Sequence, residues 1–364
     1  MITRIFVDNF RTLVNFEWKP GKLALLLGEN GSGKSSVVDA LWGIRALVSH
    51  QSELRRFFPS ASRARWDKRM SQTIELDVLL SGQVYTYKLE LEHSDDPSRS
   101  RVKSESLQCG AQPLMTFADG ELQLFRDNGS RGPAFGGDWN RSGLGAIATA
   151  KDNRKLSEFK RWLREELWFL RPDPRAMGSR TDEEVDDLAP NLANFASWFP
   201  GWVAEDFEGA MQATQALKEA LDGFKALQVS RNAPRLEATF LLDDNRSYSV
   251  DFADLSDGQR QLCALYVLRH AVVKPGRLII FDEPDNYLAL REIQPWCSEL
   301  TDLALSDGGP QVWFISHHPE LLNQLAPDHG TRFFRGRGPT RIEPFGGIAG
   351  LTAAETVARG WDGE

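Results

Sequence analysis

The chain has 364 residues, 41% hydrophobic and 26% charged, which fits a folded protein with a sizeable core and excludes a disordered or membrane-embedded one. At about 150 residues per domain, that length predicts two or more domains or one large two-lobed one. A net charge of −8 excludes a uniformly basic nucleic-acid coat but leaves room for a local basic patch.

Short strands are predicted at 2–7 and 15–18, then an apolar run at 22–27 whose lack of alternation marks a strand buried on both faces. It leads into Gly28-Glu29-Asn30-Gly31-Ser32-Gly33-Lys34-Ser35, followed by a helical stretch to about Val48. Residues 73–92 alternate: Ile74, Leu76, Val78 and Leu80 share one face, and Tyr85, Tyr87, Leu89 and Leu91 do the same across Ser81-Gly82-Gln83. This predicts an antiparallel hairpin with one wet side. Further short strands are expected to about Phe125, then a Gly-rich irregular stretch at 127–148. From 151 the period becomes helical, with Leu156, Phe159, Trp162, Leu163, Leu167 and Leu170 on one face until Pro172 and Pro174. The acidic run Asp182 to Asp187 reads as a solvated loop. A second helix is expected over 203–228, with Phe207, Met211, Leu217, Leu221 and Phe224 on one side. Strands resume at 235–252, two buried parallel strands follow at 278–281 and 312–316, and 348–359 reads as a short helix. Cys109, Cys263 and Cys297 have neither disulfide-framework nor metal-ligand spacing and fit a reducing cytoplasm. The opening MITRIFVDNF is no signal peptide, and no apolar run nears the ~20 residues of a membrane helix, so a cytoplasmic location is expected.

Four motifs carry chemistry. Gly28 to Ser35 matches G-x-x-x-x-G-K-[ST] between a strand and a helix. Its glycines let backbone N–H groups of Asn30, Gly31, Ser32 and Gly33 wrap phosphates, and the helix start, with Ser36, favours an anion. Lys34 can reach the β- and γ-phosphates, and the Ser35 hydroxyl can ligate Mg²⁺. Leu278-Ile279-Ile280-Phe281-Asp282-Glu283-Pro284 puts two carboxylates at the end of a buried strand, Asp282 toward the Mg²⁺ and Glu283 where it could polarise an attacking water. Leu255-Ser256-Asp257-Gly258-Gln259 opens a Leu- and Ala-rich helix, with Ser256 standing 26 residues before Asp282; a hydroxyl and a glycine at a helix start again suit phosphate. Finally, Ser316-His317-His318 ends a buried strand, where His317 can touch a γ-phosphate and His318 faces away.

In this order the four motifs resemble the Walker A, signature, Walker B and switch-histidine motifs of the ABC-type ATPases. Ile5-Phe6-Val7-Asp8-Asn9-Phe10-Arg11 and the later Asp285-Asn286-Tyr287-Leu288 resemble the RecF, SMC and OLD branch, without the Toprim domain of full OLD proteins. Three departures are noted: Asp257 replaces a signature glycine, the Q-loop glutamine is unplaced among Gln72, Gln83 and Gln123, and the span between Walker A and signature lacks heptads for coiled-coil arms. The resemblance implies an α/β ABC-type P-loop head with a mixed sheet, an antiparallel β subdomain and an α-helical insertion. Its expected divisions are an N-terminal lobe at 1–150, the insertion at 151–232 and a C-terminal lobe at 233–364. It further implies a homodimer sandwiching ATP and Mg²⁺, with Arg11 also at the nucleotide, and Ser256, Gly258 and Gln259 acting across the dimer. The implied role is an ATP-hydrolysing switch that senses nucleic acid or controls a separate effector such as a nuclease or toxin, in antiphage defence. A RecF-like DNA-loading ATPase is the alternative, and a transporter subunit fits less well. Residues 53–69 hold Arg55, Arg56, Arg63, Arg65, Lys68 and Arg69 against Glu53 and Asp67, with Phe57, Phe58 and Trp66 between them, and form the candidate DNA or RNA contact.

Overall fold

The computed structural model describes residues 1–49, 53–96, 99–148, 150–181, 185–230 and 232–360; positions 182–184 of the acidic run lie outside the described residues. The chain forms two compact units, one of residues 1–167 with 329–345, the other of residues 168–328 with 346–364.

The first unit opens with β1 (Ile2–Asp8), β2 (Phe16–Trp18) and β3 (Leu23–Leu27). Every residue of β3 is buried, as its unbroken apolar run requires. The helices α1 (Lys34–Ser49) and α2 (Leu54–Phe57) follow. β4 (Ser71–Leu80) and β5 (Gln83–Glu92) form the expected hairpin, with Leu80 opposite Gln83 and a two-residue turn in which Ser81 and Gly82 both have positive φ. Its alternating set, from Ile74 through Leu91, is buried. The sheet continues through β6 (Arg101–Cys109), β7 (Gln112–Ala118), β8 (Glu121–Phe125) and β9 (Arg131–Gly136) in the order β2-β1-β4-β5-β6-β7-β8-β9. β9 and the short α3 (Gly143–Ala146) lie in the stretch read as irregular. β9 is a mostly exposed edge strand containing Pro133, so its sequence carries no alternation to find.

α3 is fixed at both ends. Its first amides, Gly143 and Leu144, donate to the buried Glu105 carboxylate at 2.6 and 3.4 Å, and Lys160 Nζ donates to the carbonyls of Gly145 and Ile147 at 2.7 and 2.6 Å. The helix predicted from 151 is shorter than its periodicity suggests. α4 (Arg154–Arg161) runs into a π turn at Trp162–Glu166, and Leu167–Leu170 is strand β10. Leu156, Phe159, Trp162 and Leu163 are buried as a helical face, but the β-prone Leu-Trp-Phe-Leu leaves the helix.

In the second unit the expected 203–228 helix is three elements: α5 (Phe195–Glu205), α6 (Phe207–Ala220) and β11 (Phe224–Val229). Asp206 breaks the helix with extended φ and caps α6 by accepting from Gly209 N at 2.9 Å. Gly223, at φ +70, turns the chain into β11. Of the side expected to be buried, Leu217, Leu221 and Phe224 are buried, with Ala213 beside them, while Phe207 and Met211 are exposed. β12 (Leu236–Leu241) and β13 (Ser247–Asp251) complete a three-stranded sheet. Next come α7 (Asp257–Ala271), β14 (Leu278–Asp282), α8 (Leu290–Leu305), β15 (Gln311–Ile315) and α9 (Pro319–His329). β14 and β15 pair in parallel and are buried throughout. Between them and α8, Phe281 packs edge-on against Trp296 at 5.0 Å and stacks on Phe314 at 5.8 Å. The chain then returns to the first unit: β16 (Gly330–Phe334) pairs in parallel with β3 and antiparallel with β17 (Arg341–Pro344). α10 (Ala353–Ala358) closes the second unit. The three cysteines are buried and free. No helix among the described residues is long and apolar enough to cross a membrane.

Candidate functional site

The loop between β3 and α1 has the backbone that phosphate wrapping requires. Gly28, Gly31 and Gly33 sit at φ +135, +80 and +111. A Cβ on Gly28 would lie 2.0 Å from the Phe333 carbonyl oxygen, and one on Gly33 would lie 2.3 Å from Thr340 Oγ1. Lys34 is buried at the start of α1, and its Nζ donates to the carbonyls of Gly28 and Glu29 at 2.5 and 3.1 Å. Ser32 is also buried, and its Oγ has no hydrogen-bond partner among the described residues. A buried hydroxyl without a partner costs about 1–3 kcal/mol, so this loop is built to receive an acceptor. With the N-terminal field of a 16-residue helix, the donor set fits a polyphosphate. Ser35 is exposed at the same helix start, and Asn30 and Gly31 are exposed in the loop, while Ser36 is buried.

The floor of this loop was missed by motif reading. Thr340, fully buried, donates from Oγ1 to the Ser32 carbonyl at 2.8 Å and lies 2.8 Å from Thr12 Oγ1, and its amide donates to the Thr12 carbonyl. Nothing marks a lone threonine in Gly-Pro-Thr-Arg as part of a loop 308 residues away. Thr340→Val keeps the shape and removes the donor. It is expected to weaken ATP binding about threefold to tenfold, as loss of one hydrogen bond of 0.5–1.5 kcal/mol would. Unchanged affinity in calorimetry would reduce Thr340 to packing.

The opening Asp8-Asn9-Phe10-Arg11 motif is explained locally. Asn9 is buried at φ +59; its Nδ2 donates to the carbonyls of Arg69 and Ser71, its Oδ1 accepts from Ala64 N, and its carbonyl accepts from Gln72 Nε2. Gln72 Oε1 in turn accepts from His93 Nε2 at 2.7 Å. Burial, with the Arg63 charge adding to it, holds His93 down to about 4 and so neutral. Arg11 stands at φ +51, stacks on Phe10 and ion-pairs with Asp39 of α1. Of the Q-loop candidates, Gln72 is spent in this network, Gln83 accepts from Cys109 Sγ, and Gln123 donates to the carbonyls of Leu124 and Gly132.

In the second unit, Asp282 is buried at the end of β14, opposite Ile315, with the Arg171 guanidinium 3.8 Å away. Glu283 follows at φ +51; its amide donates to the Ile315 carbonyl at 2.8 Å and its Oε2 accepts from Asn286 Nδ2 at 2.9 Å. The buried Asp285 has its carboxyl pushed up by burial, with a Ser316 hydrogen bond opposing. Ser256 caps α7 in a capping box with Gln259, accepting from Gln259 N while Gln259 Oε1 accepts from Ser256 N. A Cβ on Gly258 would lie 3.0 Å from the Tyr287 carbonyl oxygen, so the glycine lets the signature turn sit against the segment after Walker B. Asp257 is held between Arg175 at 3.1 Å and Arg260 at 2.6 Å, and the Arg175 hydrogen bond draws its carboxyl down. This pairing gives the aspartate at the signature's third position a local role, and Arg175 also lies over the Tyr287 ring. His317 is exposed after β15, whereas His318 turns to α9, where its Nδ1 accepts from Glu320 N at 3.3 Å.

The basic stretch is only partly available. Arg69 is bound to Asp8 and Asp67, each at 2.6 Å, and Arg63 is folded onto the carbonyls of Ser60 and Arg69. Phe58 is a core residue against Phe10, not a platform for a base. Arg55, Arg56, Arg65, Lys68 and Trp66 are exposed, with Arg335 lying over Trp66.

Residues 23–323 match the protein-family model described as "AAA domain, putative AbiEii toxin, Type IV TA system". No curated protein matches in sequence. Among solved structures, the SMC head domain from Thermotoga maritima is similar over 95% of this chain and 99% of its own, at 14% identity and a TM-score of 0.50. An Smc head bound to the C-winged helix domain of ScpA aligns over 94% of this chain and 97% of its own, at 13% identity and a TM-score of 0.53. An Smc head domain with a coiled coil and joint derived from Pyrococcus yayanosii aligns over 99% of both chains, at 12% identity and the same score of 0.53. With the P-loop, signature turn and Asp-Glu strand end described above, the chain belongs to this AAA-domain family and has the ABC-type P-loop fold of the SMC ATPase heads.

Proposed function

We propose that the chain is an ATP-hydrolysing switch whose two copies close around ATP and thereby control a separate effector, a nuclease or toxin, in antiphage defence. The observation that carries this reading is the P-loop, with its left-handed glycines, inward Lys34 and unpartnered Ser32 hydroxyl. The family's description names a toxin–antitoxin system, and a head of the same fold has been seen with a partner domain bound; both support an effector on another chain.

In this reading Asn30 to Ser36 and Arg11 hold the nucleotide, and Lys34 neutralises charge on its β- and γ-phosphates. Mg²⁺ would be held by the Ser35 hydroxyl and Asp282, hard oxygen donors suited to it, and would offset charge on the leaving phosphates. Glu283 takes the proton of the attacking water, and His317 contacts the γ-phosphate. From the second copy, the α7 start brings Ser256, Gly258 and Gln259 to the γ-phosphate, so closure requires ATP and hydrolysis releases it. Nucleic acid is the signal we propose it senses.

The test is complementation between two inactive chains. Ser256→Arg should bind ATP yet fail to hydrolyse it, and Lys34→Ala should bind ATP too weakly to turn it over at concentrations that saturate the wild type. Each mixed dimer retains one intact composite site, so mixing is expected to restore up to about half of the activity per dimer. No recovery on mixing, in dimers shown to exchange subunits, would remove action across the interface.

A further inference from the structure

A second basic surface lies on the segment after the β subdomain. α4 and its π turn bury one side, and the other side faces outward with Arg154, Arg161 and Arg164, after the exposed Lys151. Two concavities, of about 770 and 350 Å³, run along this side and share Ser157, Arg161 and Arg164. Together their linings carry six basic residues and two acidic ones, in a chain whose net charge is −8. Both acids are engaged: Glu158 accepts from the hydroxyls of Ser81 and Tyr85, and Glu165 pairs with Arg164. The guanidiniums of Arg154 and Arg161 have no ion-pair partner among the described residues.

Three features identify the ligand. The helical rise separates positions 154 and 161 by about 10 Å, far enough for the two guanidiniums to meet different phosphates of a duplex, which carries one charge per ~1.7 Å of its axis. The linings contain no aromatic residue among the described residues, so they offer no platform on which an unpaired base could stack. Their apolar members are three alanines and the buried Ile147, too little to anchor the side chains of an acidic peptide. Lys155, Lys160 and Arg164 are engaged on this face, as Arg55, Arg63 and Arg69 are at 53–69, but that stretch sets an exposed aromatic, Trp66, among its remaining cations, which suits unpaired bases rather than a duplex.

We propose that this face of α4, rather than residues 53–69, holds the phosphate backbone of duplex nucleic acid, independently of sequence; the proposal rests on the nucleic-acid reading above. It is tested on the full chain by fluorescence anisotropy with a labelled DNA duplex of about 30 base pairs between 50 and 200 mM salt. Arg154→Glu with Arg161→Glu is expected to lose at least about tenfold in affinity at the lower salt and to reduce the salt slope by about 1.8, the loss of two phosphate contacts. Arg154→Lys with Arg161→Lys should keep most of the affinity, which separates lost charge from a damaged fold, and thermal midpoints check the fold directly. Arg55→Glu with Arg56→Glu and Arg65→Glu should change affinity by less than about twofold. Loss confined to that triple variant would overturn the assignment and leave the nucleic-acid reading standing. Tighter binding to poly-glutamate than to the duplex would assign the face to an acidic protein and overturn it. No duplex binding by the wild-type chain at 50 mM salt would remove both the assignment and the nucleic-acid reading.

Discussion

Lys34→Ala is expected to reduce ATP affinity by about tenfold to a hundredfold or more, the scale of losing one or two charge-assisted hydrogen bonds of 1.5–3 kcal/mol each. Lys34 is the buried cation of the P-loop, and its Nζ is already drawn inside by the carbonyls of Gly28 and Glu29. Little side-chain entropy remains to be lost when phosphates replace those carbonyls as its partners. The substitution also leaves those two carbonyls without their donor, so the loop itself should loosen. Titration calorimetry reads the effect. Affinity equal to wild type would count against phosphate binding by the loop altogether.

Glu283→Gln should have the opposite signature, with ATP binding retained and turnover down by about 10²–10⁴-fold, the usual size of a lost general base. The geometry favours a clean result. Glu283 occupies a left-handed turn whose backbone is held by Ile315 and whose carboxylate accepts from Asn286. Glutamine is isosteric and its carbonyl oxygen can still accept that bond, so turn and fold should survive. A chain that binds ATP and does not spend it should accumulate as the closed dimer, visible as a doubling of mass by light scattering with ATP. Wild-type turnover in this variant would sink the assignment of Glu283 as base, and a monomer with ATP bound would sink closure.

Motifs made of consecutive residues could be read from the sequence, because local chemistry and strand burial coincide there. The run into Gly28 and the run into Asp282 are both buried strands ending in functional groups, as their unbroken apolar stretches indicate. The hairpin through Ser81 and Gly82 was equally readable, since alternation and turn chemistry agree. Failures fall where tertiary context overrides period. Phe207 and Met211 look like a helical core face but are exposed, and Leu167–Leu170 continues a helical period yet is a strand. Contacts distant in sequence left no trace at all: Thr340 under the P-loop, Asp39 against Arg11, and Arg175 on Asp257. The basic stretch shows the same limit, because counting charges could not reveal that Arg63 and Arg69 hold their own loop together.

The placement of residues 329–345 in the first unit bears on biosynthesis. β16 is the strand beside β3, and Thr340 is the hydroxyl beneath Ser32, so the P-loop is among the earliest segments made and the last to be supported. At roughly 5–20 residues per second, the ribosome takes on the order of 15–60 s to travel from one to the other. During that interval the nascent chain displays a glycine-rich loop without its floor. A chain in that interval is expected to hold ATP at least about threefold to tenfold more weakly than the finished head, the cost of the missing Thr340 hydrogen bond alone.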